Sequence, residues 1–417
     1  MSEKIEIGPK RKIGFVCSGG ATKAGAFHLG VALALKEYGF KFQGRHKNES
    51  ESPSSPTPME ISTYVGSSAG SVIASYLASG FTIENILNSY VGRTPRKPED
   101  ALPRILPKLS YPTMFKLRTE IAREQLGGLG SIGSFLKGML RGEADLLAKL
   151  SLIRAPGIFS TAGIEQFLRE EALPLNKFQD LEADLFIVAT QLNHSRKVVF
   201  GKYSYAPPAH DLTCQYDHNV SISEACAASV AIPFVYAPYV IQGTPYLDGE
   251  IRDTLSTHVA IDAGCDLVFA SYTHQPYHFQ EKFGSLLNRG VSAILIQSLY
   301  LLVEQKITQF IYHKKAAKMA VVEVEKLLKS ENADPSLTRK VMELLERELQ
   351  VRRDVNVIYI HPDPEDAELF LMEHFTLTPK KLAHLVRSGF QAGSKAIREY
   401  KFKDRVKETI VSEVETK

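Results

Sequence analysis

This 417-residue chain lacks several features, and each absence removes a class of function. Its four cysteines, at 17, 214, 226 and 265, form no CxxC pair and have no histidines at zinc-ligand spacing. That argues against a dithiol redox motif and a zinc site, and predicts inert buried thiols in a reducing compartment. The chain also lacks a dominant charge: 50 Lys+Arg stand against 47 Asp+Glu, a net +3, too little to recruit nucleic acid. Its longest apolar stretch, Gly290–Val303, is interrupted by Gln297 and is too short to span a bilayer, so a buried helix is expected there. The opening MSEKIEIGPKRK has no apolar run of the kind a secretory signal needs, which fits a cytoplasmic protein. No P-loop, no G-x-G-x-x-G and no EF-hand loop occurs, so nucleotide and calcium are not implied.

What is present is a chain with 44% hydrophobic residues, enough for a large core, in which strand-like and helix-like stretches alternate. Lys12–Cys17, Ile61–Val65, Asp184–Leu192, Lys197–Phe200, Asp266–Tyr272 and Val355–His361 read as strands. Phe234–Ile241 and Thr244–Leu247 flank Gln242-Gly243 as a hairpin. Helices are expected over Ala26–Tyr38, from the turn at 66–70 to about Ser79, over Ser223–Val230, and through 281–352 and 364–400. The alternation predicts an α/β layered fold with a mostly parallel central sheet and helices on both faces. The whole chain, 1–417, reads as one domain. It has a polar Ser/Pro-rich loop at 44–58, a helical insert at 81–156 and a tail at 403–417.

Gly66-Ser67-Ser68-Ala69-Gly70 follows a strand and opens a helix. A nucleophile at the apex of such a strand-to-helix turn needs small neighbours, since a side chain beside it collides with the following turn. Ser68 holds the apex and Ser67 lies off it. The plainer alternative is a tight turn whose serine only caps the helix.

Ser18-Gly19-Gly20-Ala21-Thr22-Lys23-Ala24-Gly25 also joins a strand to a helix. Successive backbone N–H groups there make a concavity for negative charge, suited to the oxyanion of a carbonyl under attack. Lys23 adds positive charge nearby. A serine nucleophile needs a base, and of the 12 histidines only His258, His274 and His361 merit consideration. Asp248 stands out instead, at the end of a hairpin arm and before Gly249. A partly desolvated carboxylate there has a raised pKa and takes a hydroxyl proton directly. An ordinary Asp-Gly turn is the competing reading.

Taken in order, SGGATKAG, GSSAG and DGE resemble the patatin-like phospholipase family, whose pattern runs glycine-rich oxyanion loop, G-x-S-x-G, then D-G-[GA]. The stretches 157–168, 184–193, 221–249 and 357–364 resemble it too, so the likeness covers most of the chain. It implies a three-layer patatin-like fold and a lipid acyl hydrolase of phospholipase A or lysophospholipase type, with no cofactor and no metal. It further implies a catalytic dyad of Ser68 and Asp248 without histidine, and an oxyanion hole from the backbone around Gly19, Gly20 and Ala21, with Lys23 at the family's basic position. Two of the family's loop glycines are alanines here, Ala21 and Ala24, and an alanine keeps the N–H available if its φ is negative. Glu250 replaces the small residue after Asp-Gly. That side chain is expected to raise the pKa of Asp248 or disturb substrate entry, and an inactive lipid-binding protein is the alternative these departures suggest.

A membrane phospholipid or other lipid ester as substrate requires docking on a membrane surface. The segment Tyr90–Pro156 carries twelve Lys/Arg against six Asp/Glu, mixed with prolines, glycines and apolar residues, which suits a peripheral docking segment or lid.

Overall fold

The computed structural model describes residues 5–8, 10–44, 59–91, 106–118, 157–208 and 211–402. Most of the loop at 44–58, the tail at 403–417, and residues 92–105 and 119–156 of the expected insert lie outside the described residues.

Five strands run parallel: β1 (Ile13–Cys17), β2 (Glu60–Ser67), β3 (Asp184–Gln191), β7 (Leu267–Ser271) and β8 (Asn356–Ile360), in the order β3-β2-β1-β7-β8. Antiparallel strands complete the β3 side: β4 (Arg196–Gly201), β5 (Tyr239–Ile241) and β6 (Thr244–Asp248). The hairpin turn between β5 and β6 is made by Gln242 and Gly243, both at positive φ, as a two-residue turn of this kind requires.

The strands are apolar throughout because both faces of the sheet are covered. On one face Phe15, Tyr64, Leu185, Ile187 and Phe269 join a core with helices α1 (Ala21–Glu37), α2 (Ala69–Ala78), α3 (Ile222–Ser229) and α6 (Pro379–Arg398). On the other face Val16, Val65, Phe186, Val188 and Val268 pack under Thr257–Asp262 and under α4 (Gly290–Ser330), which contributes Ile307. Helix α5 (Pro335–Leu349) packs on α4 through Met342.

Two expectations are corrected here. Helix α1 starts at Ala21, not Ala26, so the glycine loop is only residues 18–20 and the stretch read as loop is a buried first turn. Its small side chains allow this: a Cβ on Gly25 would stand 2.4 Å from the Tyr90 hydroxyl oxygen. The apolar stretch Gly290–Val303 is helical but not buried. Val291, Ile294, Leu295, Leu299, Leu301 and Leu302 are exposed, and Tyr300 turns inward.

Candidate active site

The sheet register explains how residues 180 positions apart in the chain become neighbours. Strand β2 runs alongside β3 until Ser67 lies opposite Val188. Strand β6 runs the other way, and Asp248 lies opposite Ala189, the next residue of β3. The two strands therefore meet end to end beside β3, with the serine turn leaving one and the aspartate closing the other.

Ser68 sits at the apex with φ 50° and ψ −130°, a conformation costing a non-glycine residue about 1–3 kcal/mol. The turn is over-determined by its surroundings. A Cβ on Gly70 would come within 2.3 Å of the Cys17 carbonyl oxygen, and one on Gly66 within 2.5 Å of the Gly70 carbonyl oxygen. The Ser68 N–H donates to Ser229 Oγ at 2.8 Å, and that hydroxyl donates to the Val188 carbonyl at 2.6 Å. Ser71 Oγ donates to the Ser68 carbonyl at 2.6 Å. Ser68 makes no side-chain cap to its helix, so its hydroxyl is available for other work. Ser229 was not singled out in the sequence.

The Ser68 hydroxyl is hydrogen-bonded to the Asp248 carboxyl, which is buried and also accepts from the Glu250 N–H at 2.9 Å. Burial pushes the Asp248 pKa up to about 7, although both hydrogen bonds oppose the rise. The Asp248 N–H donates to the Ala231 carbonyl and its own carbonyl accepts from Thr190 Oγ1, so the backbone that aims the carboxyl is held on both sides.

The loop at 18–20 lies against this pair. Ser18 N–H donates to the Ser271 carbonyl, and the His28 ring bridges the Ser18 carbonyl and Ser271 Oγ. A Cβ on Gly19 would meet the Ser68 Cβ at 2.7 Å, so only glycine lets the loop approach this closely. Gly20 forms the N-cap of α1 at φ 127°. Ala21 is at φ 56°, outside the negative φ set as the condition for an alanine there, a further strain of about 1–3 kcal/mol. The Gly19 N–H is already engaged by Glu250 Oε1 at 2.7 Å, and the Gly20 and Ala21 amides follow it at the positive end of α1.

Lys23 is not part of that set. It lies fully buried in the first turn of α1, with Nζ 5.6 Å from the Tyr300 ring and no hydrogen-bond partner among the described residues. Burial lowers its pKa to about 7, against the pull of Asp366. Of the three histidines, His274 approaches the site through Glu250, and the other two have their partners elsewhere. His258 faces Lys197 and Asp253, and His361 bonds Gln275 and the Pro362 carbonyl. His274 stands 3.8 Å from Glu250, with burial taking its pKa down to about 3.

A narrow apolar cavity of about 60 Å³ opens from Ser68. Ala21, Thr22, Val72, Leu109, Met114, Ile164, Leu168 and Phe375 are among the residues that line it. Leu109 and Met114 belong to the described part of the insert. Among the described residues no group of acidic, histidine or cysteine side chains could hold a metal, and no helix is long and apolar enough to cross a membrane.

A buried serine at a strained strand-to-helix turn thus faces a buried aspartate beside a glycine loop. The family model for patatin-like phospholipase matches residues 15–261, and the chain belongs to that family. The solved structure of VipD from Legionella pneumophila is similar at 16% identity and a TM-score of 0.38, over 95% of this chain and 70% of that one. That likeness is loose, and the family match carries the assignment.

Proposed function

We propose that the chain hydrolyses fatty-acid esters of membrane lipids, in the manner of a phospholipase A or lysophospholipase, with Ser68 as nucleophile and Asp248 as its base. The observation that carries this is the hydrogen bond from the Ser68 hydroxyl to a buried carboxyl at the mouth of an apolar slot. Ser68 Oγ attacks the ester carbonyl while Asp248 takes its proton. Negative charge builds on the carbonyl oxygen and is received by the N–H groups of Gly20 and Ala21. Collapse expels the alcohol, which recovers the proton from Asp248, and the acyl group stays on Ser68 in the slot. Water, deprotonated by Asp248, then attacks the acyl carbon, and the fatty acid leaves as Ser68 Oγ recovers the proton from Asp248. Such esters sit in bilayers, so contact with a membrane surface is part of the proposal.

Two features support a dyad without histidine. A base works best with a pKa near the working pH, and burial brings Asp248 there. The side chains of His258 and His361 make their contacts away from Ser68.

The test is mass spectrometry of products released from mixed membrane lipids, wild type beside Ser68→Ala, with fluorophosphonate labelling in parallel. Wild type should release free fatty acid and take the label; Ser68→Ala should lose the label and at least a thousandfold of the rate, roughly. Because the base must be deprotonated and its pKa is raised, the rate should fall as pH drops below about 7. Equal release by Ser68→Ala would sink the assignment.

A further inference from the structure

Glu250 occupies the position after Asp-Gly where the family pattern has a small residue, yet its side chain is not among the residues that line the slot. It turns back into the protein. Its Oε1 accepts from the Gly19 N–H at 2.7 Å and from Ser67 Oγ. Gly19 immediately precedes the amides of Gly20 and Ala21, and Ser67 immediately precedes Ser68. One oxygen atom thus joins the two turns on which the chemistry proposed above depends. The fit is close: a Cβ on Gly19 would meet the Glu250 Cγ at 2.5 Å as well as the Ser68 Cβ.

We propose that Glu250 is a positioning residue for ester hydrolysis, fixing the oxyanion amides of Gly20 and Ala21 against Ser68 by tying the loop at Gly19 to the turn at Ser67. The inference rests on the function proposed above.

Its surroundings favour the neutral acid. Burial comes first and the neighbouring Asp248 second in holding the Glu250 pKa well above the usual carboxylate range, with the bonds from Ser67 and Gly19 opposing and Asp253 adding to the rise. Neither Tyr300 nor His274 beside it supplies a countercharge. Tyr300 of α4 is a buried phenol, and His274 has its Nδ1 3.8 Å from Oε2, with neither atom otherwise partnered. His274 is neutral, being buried and pushed down further by Lys23 and His28. With Oε1 receiving two donors, the proton belongs on Oε2, facing that imidazole nitrogen. Neutrality matters because a charged Glu250 would stand beside Asp248 and oppose the ionisation that makes Asp248 a base. Loss of the proton at alkaline pH should therefore disturb the site.

The experiment measures kcat and KM on a soluble short-chain ester from pH 6 to 10 for wild type, Glu250→Gln, Glu250→Ala and Ser68→Ala. In Glu250→Gln the amide oxygen still accepts from Gly19 and Ser67 and the amide NH2 faces His274. That variant should keep kcat within about threefold and lack the alkaline fall of wild type. Glu250→Ala should lose about 10- to 100-fold in kcat with KM little changed, less than the full loss of an oxyanion donor. An unchanged or faster Glu250→Ala enzyme overturns the proposal, because the side chain then only fills or obstructs the loop. So does a rise in KM alone, or a glutamine variant as slow as the alanine one. If Glu250→Ala does not fold, the alkaline limb of the glutamine variant still decides. The underlying reading fails by a different sign: Ser68→Ala as active as wild type, or wild type with no turnover and no fluorophosphonate labelling, in which case this proposal falls with it.

Discussion

Helices α1 and α4 begin after glycine-containing turns and both are rich in apolar residues, yet they end up in opposite environments. Of the 17 residues of α1, fourteen are buried, including a lysine and a histidine. Helix α4, 41 residues long, opens with larger apolar side chains and leaves most of them in water: Leu299 is 59% exposed and Leu302 60%, while Tyr300 between them is 6% exposed. Apolar content set neither outcome. Helix α1 carries glycine and alanine where α6 and the sheet press on it, so backbone can approach backbone. Helix α4 meets the molecule along one stripe that includes Tyr300, Ile307 and Val321, with Ile296, Val303, Ile311 and Val324 half-buried beside it, while Leu299, Leu301 and Leu302 stay exposed.

The sharpest way to break this comparison is to enlarge a small residue of α1. A Cβ on Gly30 would lie 2.0 Å from the Val386 carbonyl oxygen, and one on Gly389 of α6 would lie 2.0 Å from that of Phe27. Gly30→Val should destabilise the fold by about 3 kcal/mol or more, read as a lower urea midpoint, because two backbones must move apart. A destabilisation under about 1 kcal/mol would show that the two helices are not packed this closely.

Next in size is the charge that α1 buries. Lys23 has its pKa lowered to about 7, so between that pH and its ordinary 10.5 the unfolded chain holds a proton that the folded chain has lost. Stability of the wild type should thus rise with pH across this window. Lys23→Met, which removes the buried amine, should stabilise by roughly 2–4 kcal/mol at pH 6, and the gain should shrink towards pH 10. Thermal unfolding at the two pH values checks it; a gain that grows with pH contradicts the placement of that ammonium. Smallest is the effect on the exposed face of α4. Leu299→Ser should alter stability by no more than about 0.5 kcal/mol. A loss above about 2 kcal/mol would mean that a surface outside the described residues covers this leucine.

Much of the architecture was legible because it follows local patterns. Continuous apolar runs marked the parallel strands, Gln242-Gly243 marked the hairpin, and the glycines at 66 and 70 marked a turn too tight for side chains. The pairing of Ser68 with Asp248 was legible only through the resemblance. Nothing in the stretch between them says that β2 and β6 end at adjacent residues of β3. The φ of Ala21 and the role of Ser229 were not legible, since each depends on atoms supplied by distant segments. Glu250 was noticed as a departure, but its direction was not, because a side chain after Asp-Gly can turn towards substrate or away from it.

By itself the sequence determined the periodicities: which stretches are strands, where glycine is required, and which residue types stand at the turns. These are properties of a residue and its near neighbours, imposed by sterics and backbone geometry. The tertiary structure alone decided what is covered and what is charged. The apolar opening of α4 stays in water, Lys23 is buried in α1, and Asp248 has a pKa near neutrality. Burial is a relation between segments far apart in the chain, and the energy of a charge depends on which of them surround it.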